Sequence, residues 1–449
     1  MRVLAAAYLV SLAACTTEDA DAPAAADVAT ATPDSTAAVT TALTYYKDVK
    51  PIVDVACTRC HSTGNIMERT PLTSFDEVAP LRALIKEKVT KRLMPPWLAT
   101  TGCAEYKFDV SLSESEIATL SEWADGGGPA GDPSTEPKAV ALEVPSLSRV
   151  DVTLAMKLPY TPQIEPDDYR CFLMDWPSDH DVYITGFGAK PGNVAVVHHV
   201  IAYQVPPDKA AAFQAFDDAE DGPGYTCFGG PQGKGGDAVG GNARWLGAWA
   251  PGAMGSDFTA GTGIKMKKGS KVALQVHYNT LGGVSPDQTS VVFKVDDAVE
   301  HEAVLLPFAD IQWVTSGTMD IPAGDPDATH GFASDVASAW MGGAEFTIHT
   351  ASLHMHVLGT RANLYIERAD GTKDCLLDIP RWDFHWQRSY VLQEPRKFKV
   401  GDKLGIECHW DNSQANQPMV DGKQRTAQDV NWGEGTTDEM CLGVFYLTF

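Results

Sequence analysis

The sequence predicts a mainly β protein with two antiparallel β-sandwich modules, preceded by a small all-α module. From about residue 144 onward, short runs rich in β-branched and aromatic residues alternate with turn residues, as in "VAVVHHVIAYQV" and "FTIHTASLHMHVLG". This spacing is typical of antiparallel sandwiches. The region holds roughly 300 residues, which is more than one such sandwich usually needs, so two are expected.

The all-α module is predicted over residues 44–128. The segments "FDEVAPLRALIKEKVTKRL" and "SESEIATLSEWADGG" carry apolar residues at helical spacing. In the second segment, Ser113 is followed three residues later by Glu116, which is the pattern of a capping box. The Gly- and Pro-rich stretch "GGGPAGDPSTEPK" then predicts a linker over residues 129–143. The two sandwich modules are expected at 144–297 and 298–449.

Composition excludes one class of partner. The chain has 449 residues, of which 44% are hydrophobic, enough to form the cores of several domains. Its 59 acidic and 35 basic residues give a formal net charge of −24. A nucleic-acid-binding protein needs a basic surface, so no nucleic-acid partner is expected.

The N-terminus predicts export. In "MRVLAAAYLVSLAACTTEDADAP", one Arg precedes an apolar run that is too short to span a bilayer, followed by small residues. Residues 12–15 resemble a bacterial lipobox, which predicts a lipoprotein signal over 1–15 and lipidation of Cys15; ordinary signal-peptide cleavage is the alternative. Residues 16–43 are expected to be a disordered linker. The predicted location is the periplasm or cell surface, with the outer membrane reached only through the lipid anchor.

A haem-attachment motif lies in the helical module. In "VACTRCHSTG", Cys57, Cys60 and His61 have the spacing C-x-x-C-H, which is typical of c-type haem. Two thiols one helical turn apart can form thioethers, and the adjacent imidazole can then bind the iron. A zinc or redox C-x-x-C is the alternative, disfavoured because no second C-x-x-C follows. Met94 in "KRLMPPW" is the candidate for the other iron ligand, with Met67 as its competitor.

Histidines in the β region have metal-ligand spacing. His354 and His356 are two residues apart, so on a strand they share one face and can share a metal. His198 and His199 point in opposite directions on a regular strand, so joint binding requires a bulge or a strand end. His277 lies on a third predicted strand, with Gln275 as a candidate hydrogen-bond partner. Imidazoles combined with a thioether suit copper better than zinc or iron.

These segments together resemble a known family. The chain from about 165 to 449 is similar to the type II copper monooxygenases, the peptidylglycine α-hydroxylating and dopamine β-hydroxylating enzymes. The matching segments, in the family's order, are "DDYRC", "VVHHV", "LGAWAPG", "LQVHYNT", "LHMHVLGT" and "TTDEMCLGVFYL". The segment "WDNSQANQP" further resembles the bacterial branch. The resemblance implies two mononuclear coppers per chain, facing each other across a solvent-filled cleft.

The resemblance also assigns roles. It implies hydroxylation of a substrate C–H bond with dioxygen, a small-molecule or peptide substrate and an external electron donor. It implies an electron-transfer copper at one site and an oxygen-reacting copper at the other, held by His198, His199 and His277 and by His354, His356 and Met440, respectively.

Most cysteines have an expected role. Of the nine, lipid and haem attachment would use three. The resemblance implies disulfides between Cys171 and Cys227 and between Cys408 and Cys441. Cys103 and Cys375 are left either to pair or to remain free.

The substrate stays open at this stage. The peptide-hydroxylating enzymes hold a substrate carboxylate with Arg, Asn and Tyr residues, and the matching positions here are Ser352, Leu442 and Val444. A peptidylglycine substrate is therefore not expected, and no acidic anchor for a catecholamine is evident. The aromatic residues of "PRWDFHWQRSY" either line the cleft or belong to the core.

The fused haem motif predicts the electron source. We expect the cytochrome-like module to supply electrons to the copper centres, replacing or supplementing a small reductant. The alternative from another class is a non-catalytic cell-surface copper and haem electron carrier. A single thioether at Met440 favours oxygen chemistry, because carriers usually saturate Cu(I) with several Met or Cys ligands.

Overall fold

The computed structural model describes residues 42–65, 67–138, 145–233, 243–250, 253, 255–280, 282–420 and 422–449. Contacts divide the chain into two units, residues 1–42 and 43–449. The predicted signal peptide, Cys15, most of the first linker and the end of the second lie outside the described residues. Within the part described, no helix has both the length and the hydropathy to cross a bilayer.

The first part of the larger unit is helical. Its helices are α1 (Lys50–Ala56), α2 (Phe75–Val78), α3 (Arg82–Thr90) and α4 (Glu114–Asp125), with a π-helical turn at Tyr45–Val49 and 3₁₀ turns at Ala79–Leu81 and Pro133–Thr135. The predicted capping box begins α4, since Ser113 and Glu116 bond to each other's backbone N–H. The helices pack around a core whose fully buried members include Tyr45, Val49, Val53 and Trp123.

The rest of the chain is mainly β, as predicted. Its strands are β1 (Val152–Ala155), β2 (Asp167–Asp175), β3 (Val182–Lys190), β4 (Val197–Val205), β5 (Tyr225–Thr226), β6 (Arg244–Trp249), β7 (Ser256–Asp257), β8 (Thr262–Met266), β9 (Lys271–Asn279), β10 (Ser290–Asp296), β11 (His301–Phe308), β12 (Ala328–Ser334), β13 (Phe346–His354), β14 (Gly359–Glu367), β15 (Lys373–Ile379), β16 (Ser389–Phe398), β17 (Lys403–Trp410), β18 (Met419–Val420), β19 (Lys423–Gln424) and β20 (Leu442–Thr448). Short helices interrupt them: α5 (Ala210–Asp218), α6 (Ile311–Ser316), α7 (Val336–Trp340) and a 3₁₀ turn at Gln414–Asn416.

One nine-stranded sheet runs through both halves of the β region. Its order is β1-β10-β3-β8-β11-β20-β13-β16, and β7 pairs with β3. The two halves meet where β8 pairs with β11, and this pairing is parallel, whereas the other pairings are antiparallel. The predicted domain boundary at 297–298 falls in the turn between β10 and β11. The two halves are therefore built on a shared sheet rather than on separate sandwiches.

Two smaller sheets cover the shared sheet, one over each half. The five-stranded sheet β5-β2-β9-β4-β6 shares a hydrophobic core with β1, β3, β8 and β10. The four-stranded sheet β12-β17-β14-β15 shares a second core with β13, β16 and β20. Because side chains alternate along each strand, one face of each strand supplies these cores. The site described below lies where the two covered halves face each other.

The loop between α3 and α4 attaches the helical part to the C-terminal half. Residues 97–107 run beside β15 and β16, and the indole of Trp97 packs edge-on against Tyr390 with centroids 5.0 Å apart. Three backbone hydrogen bonds of 2.8–2.9 Å join the loop to these strands: Thr100 N to Asp378 O, Lys107 N to Val391 O, and Gln393 N to Glu105 O. The loop thus extends the edge of the β region.

Side chains fix the same loop. Leu98, Ala99 and Tyr106 are buried in the core of the C-terminal half, and the Tyr106 hydroxyl donates to the carbonyl of Leu376 over 3.1 Å. Cys103 forms a disulfide with Cys375 of β15, which answers the question that the sequence left open. The helical part is held against the C-terminal half by a covalent bond, a hydrogen-bonded edge and a shared core.

We expect the double variant Cys103→Ser/Cys375→Ser to loosen this attachment. A disulfide that closes a long loop typically contributes roughly 2–4 kcal/mol, so residues 97–107 should open more often and exchange their amide hydrogens faster. Hydrogen exchange followed by mass spectrometry would measure this. Amides of β2 and β9 serve as the internal control and should be unaffected; unchanged exchange at 97–107 would contradict the role of the disulfide.

Candidate metal centres

A β-bulge brings the first three histidines together. Across β4 and β9, Val197 lies opposite Tyr278 and His199 lies opposite His277, so His198 is the extra residue. The bulge removes the strict alternation that would otherwise turn the adjacent imidazoles apart. Ring nitrogens of the three histidines lie within 4.8 Å of one another. Joint metal binding by the adjacent His198 and His199 was expected to require a bulge or a strand end, and the structure contains the bulge.

His277 is oriented by Asp167, which the sequence did not single out. The carboxylate of Asp167 accepts from His277 Nε2 over 2.9 Å, and from the backbone N and hydroxyl of Thr436 over 3.0 and 2.6 Å. With its proton on Nε2, the imidazole directs the Nδ1 lone pair towards His199, whose Nδ1 is 3.4 Å away. A metal-binding imidazole commonly has such a carboxylate partner.

The expected partner of His277 was wrong. The Gln275 amide donates to the carbonyl of Gly230 over 3.2 Å and contacts Cys227 Sγ instead. Strand alternation placed Gln275 on the face of His277, but its side chain turns towards the disulfide between Cys171 and Cys227. The other neighbour of His277 is Tyr169 on β2, whose ring stacks on the imidazole with centroids 4.1 Å apart.

Electrostatics keep these histidines neutral. Burial, and then the positive charge that His277 and His354 would carry, lowers the pKa of His198 to about 3. The pKa of His199 also lies well below its ordinary value, mainly through burial. Within the described residues, the buried Nδ1 of His198 has no hydrogen-bond partner. Neutral imidazoles with free lone pairs at neutral pH suit a metal ion.

The second cluster lies at the end of β13. His354 Nδ1 donates to Gln387 Oε1 over 2.5 Å, and His356 Nδ1 donates to the carbonyl of Asp438 over 3.0 Å. Each of these hydrogen bonds leaves Nε2 free for a ligand. Burial lowers the pKa of His354 to about 4 and that of His356 well below its ordinary value. Met440, only 5% exposed, lines the same cavity as both histidines.

Glu439, which was not predicted from the sequence, fixes the position of Met440. Its buried carboxylate accepts from the backbone N–H groups of His356 and Leu358 over 2.8 and 2.6 Å, and from the indole of Trp410 over 2.8 Å. Burial raises the pKa of Glu439 to about 7, although these donors oppose the shift. The disulfide between Cys408 and Cys441, expected from the family resemblance, holds the other side of Met440.

Histidines of the two clusters lie close to each other. The rings of His199 and His354 have centroids 6.3 Å apart. Phe384 lies beside them, stacked on His198 at 4.8 Å and edge-on to His356 at 6.0 Å. The benzene ring therefore occupies space between one histidine of each cluster.

The aromatic residues of the same segment divide between cavity and core. Phe384 and Trp386 line a cavity of about 620 Å³, together with His198, His199, His354, His356 and Met440. Trp382 is buried in the core, where its indole donates to the carbonyl of His356 over 3.1 Å. Both sequence alternatives thus hold, each for different residues.

The predicted C-x-x-C-H motif lies at the end of α1. Cys57 and Cys60 are the free cysteines of the described residues, whereas the other six form disulfides. The backbone N–H groups of Cys60 and His61 donate to the carbonyl of Cys57, which forms a tight turn. His61 Nδ1 donates to the carbonyl of Thr70 over 2.7 Å, which leaves Nε2 for an iron.

Neither methionine candidate is selected by these contacts. Met94 follows α3 and precedes a cis peptide bond to Pro95, and its backbone N donates to the carbonyl of Lys88. Met67 lies beside the motif, with its backbone N bonded to the carbonyl of Cys60 over 3.0 Å. Met94 as the second iron ligand stays a prediction.

We expect Asp167→Asn to weaken metal binding at the first cluster. The amide cannot hold His277 in the same tautomer as strongly, and loss of such a partner typically costs roughly 10- to 100-fold in metal affinity. Competition with a Cu(I) chelator would measure the affinity. Asp175→Asn, at the far end of β2 and paired with Lys271, is the matched control and should leave it unchanged.

Comparison with known proteins identifies the class. Residues 311–449 match the family model described as copper type II ascorbate-dependent monooxygenase, C-terminal domain. A search of curated proteins finds no match. Two solved structures are similar only weakly. One, of a protein from Parabacteroides distasonis, has 7% identity and a TM-score of 0.14, covering 65% of this chain and 92% of its own. The other, a Paenibacillus xanthan lyase, has 10% identity and a TM-score of 0.14, covering 73% of this chain and 29% of its own.

The matched residues contain the turn with His354 and His356, Met440 and the strands that hold them. This match over the last third of the chain supports a copper-containing monooxygenase, which is an oxidoreductase.

Proposed function

We propose that the protein hydroxylates a C–H bond of a small organic substrate with dioxygen, using two mononuclear copper sites. The observation that carries the proposal is the meeting of two clusters of neutral imidazoles at one cavity, with a single thioether among them. Hydrogen bonds orient three of these imidazoles, those of His277, His354 and His356. The first copper would be held by His198, His199 and His277. The second would be held by His354, His356 and Met440.

Copper, when bound, supplies one-electron redox chemistry and activates dioxygen. The protein's own contribution is to fix the ligands before the metal arrives. Asp167, Gln387 and the carbonyl of Asp438 each hold one imidazole in the tautomer that directs a lone pair away from the hydrogen bond. Because these partners are set in advance, little side-chain entropy remains to be lost on binding.

Phe384 and its neighbours control what can reach the two clusters. The ring of Phe384 contacts both, and the cavity around it is lined largely by apolar and aromatic side chains. Such a wall favours an apolar substrate body and limits water near the reacting atoms. Ser352, Leu442 and Val444 also line this cavity, and none of them can hold a carboxylate as an arginine does. These three positions therefore give no support for a peptidylglycine substrate held as the peptide-hydroxylating enzymes hold it.

Electrons would come from a haem c held by Cys57, Cys60 and His61. The free thiols and the anchored imidazole support this site. The loop 97–107, fixed to the C-terminal half, gives the helical part a constant position relative to the second cluster. Cys60 and Trp97 line the same cavity as His354, so a haem donor would lie beside the copper sites rather than on a mobile tether.

We also propose that the protein is exported and lipid-anchored at Cys15 to the outer membrane. The apolar N-terminal run and the lipobox-like residues 12–15 support this location. The three disulfides support it as well, because disulfides persist in oxidising compartments such as the periplasm or the cell surface.

Met440→Ala should abolish oxygen reduction while most copper remains bound. The variant removes one ligand of the second site and leaves the imidazoles of both, so the metal content should fall little. Oxygen uptake with an external reductant and metal counts per chain would be measured together. Met419→Ala, in a hairpin where Met419 is 61% exposed, is the matched control. Uptake retained in Met440→Ala, or a wild-type chain without stoichiometric copper, would contradict the proposal.

The electron source has its own test. Reduced haem in the purified holoprotein should reoxidise in stopped-flow measurements only when both copper and dioxygen are present. Reoxidation should slow in the double variant Cys103→Ser/Cys375→Ser, because the helical part then loses its fixed position. Reoxidation at the same rate without copper would show that the haem does not serve the copper sites.

A further inference from the structure

Three cations line the cavity without an acidic partner. Arg59, Lys107 and Arg388 all border it, and within the described residues none of them forms an ion pair. The chain carries a net charge of −24, so carboxylates are abundant elsewhere on it. Many other described arginines and lysines do pair with them, as Arg170 does with Glu220 and Arg368 with Asp402. Three unpaired cations at one cavity therefore require an explanation.

Arg388 is held by an aromatic contact. Its guanidinium lies over the ring of Trp97, 5.2 Å from the centroid, a contact that stiffens the side chain. It follows Gln387, the partner of His354, and precedes Ser389, whose hydroxyl accepts from the Ser352 hydroxyl over 2.8 Å. The residue thus stands between the helical part and the second histidine cluster.

Arg59 is a second guanidinium group at the same cavity, and it is partly buried there. Two guanidinium groups at one partly buried cavity raise the free energy of the folded protein unless an anion lies between or beside them. Bidentate recognition of a carboxylate is the chemistry for which guanidinium groups are best suited.

The two acidic side chains at the cavity do not satisfy these cations. The Asp257 carboxylate is engaged by Lys294 and by the backbone N and hydroxyl of Ser148. The Glu434 carboxylate forms no ion pair within the described residues, and its backbone carbonyl accepts from the Tyr169 hydroxyl.

The propionates of a bound haem would be the competing carboxylates. The holoprotein used in the test below would carry them, and cations already occupied by propionates would give a carboxylate probe no preference.

We infer that Arg388, assisted by Arg59 and Lys107, binds the carboxylate of a small organic substrate whose apolar body lies in the aromatic cavity. This inference rests on the proposed function, because it names the substrate class of that same cavity. With the carboxylate at Arg388, the apolar body would extend past Trp386 and Phe384 towards Met440. The charged end fixes orientation, and the apolar walls contribute affinity.

The test compares two probes of the same shape, phenylacetate and phenylacetamide, by isothermal titration calorimetry on the anaerobic holoprotein. Phenylacetate should bind about ten-fold more tightly, because a hydrogen bond to a charged group is worth roughly that factor. Arg388→Gln should remove the preference, Arg388→Lys should restore part of it, and added salt should weaken it. Arg244→Gln, an exposed cation on β6 outside the cavity, is the matched control.

Equal binding of the two probes to the wild type, or a preference that survives Arg388→Gln, would overturn the inference. Arg388-dependent binding of ascorbate without selectivity between the two probes would also overturn it, since the cations would then serve the reductant. Binding requires no turnover. Carboxylate selectivity in a protein that consumes no oxygen would therefore support the anion site while refuting the proposed reaction.

Discussion

The buried carboxylate of Glu439 is the constraint on which the site depends most. Three donors from two separate parts of the C-terminal half converge on it: the turn after β13 and the indole of Trp410 on β17. A buried carboxylate with fewer donors would be strongly destabilising. The backbone at Glu439 can therefore adopt few positions. Because Met440 is the next residue, the same hydrogen bonds hold Met440 close to the histidines.

The same segment links this site to the rest of the β region. Directly after Met440 and Cys441, β20 enters the shared sheet between β11 and β13. Through β11 the sheet continues to β8 and the N-terminal half. A continuous hydrogen-bonded sheet resists hinge motion more than two tethered sandwiches would. This continuity explains how histidines from β4 and from the end of β13 come within 6.3 Å of each other.

The sequence was informative wherever the chemistry is local. The bulge at His198 and the capping box of α4 were expected from strand and helix periodicity, and the structure contains them. His354 ends β13 and His356 lies in the turn after it, so these two histidines do not share one strand as expected. The partners of the ligands were not predictable in this way. Asp167 lies 110 residues from His277, and Glu439 lies 83 residues from His356. No sequence pattern around an acidic residue identifies a hydrogen-bond partner so far away in the chain. Gln275 failed for a related reason, since strand alternation gives the face of a side chain but not the hydrogen bond that it makes.

The attachment of the helical part to the C-terminal half was not predictable from the sequence either. It matters more for the proposed function, because it sets where the proposed electron donor lies. Residues 97–107 read as part of the helical module, yet Leu98, Ala99 and Tyr106 belong to the core of the C-terminal half. A donor joined only by a flexible linker would reach the copper sites by diffusion, at a rate set by linker length. In this protein the disulfide and the edge hydrogen bonds, rather than a linker, set the distance between the helical part and the copper-binding half. The same contacts place Trp97 beneath Arg388, so the loop that holds the proposed electron donor also builds one wall of the proposed substrate site. A substrate bound there would contact both the donor's module and the copper-binding half, and its binding and the docking of the donor would stabilise each other.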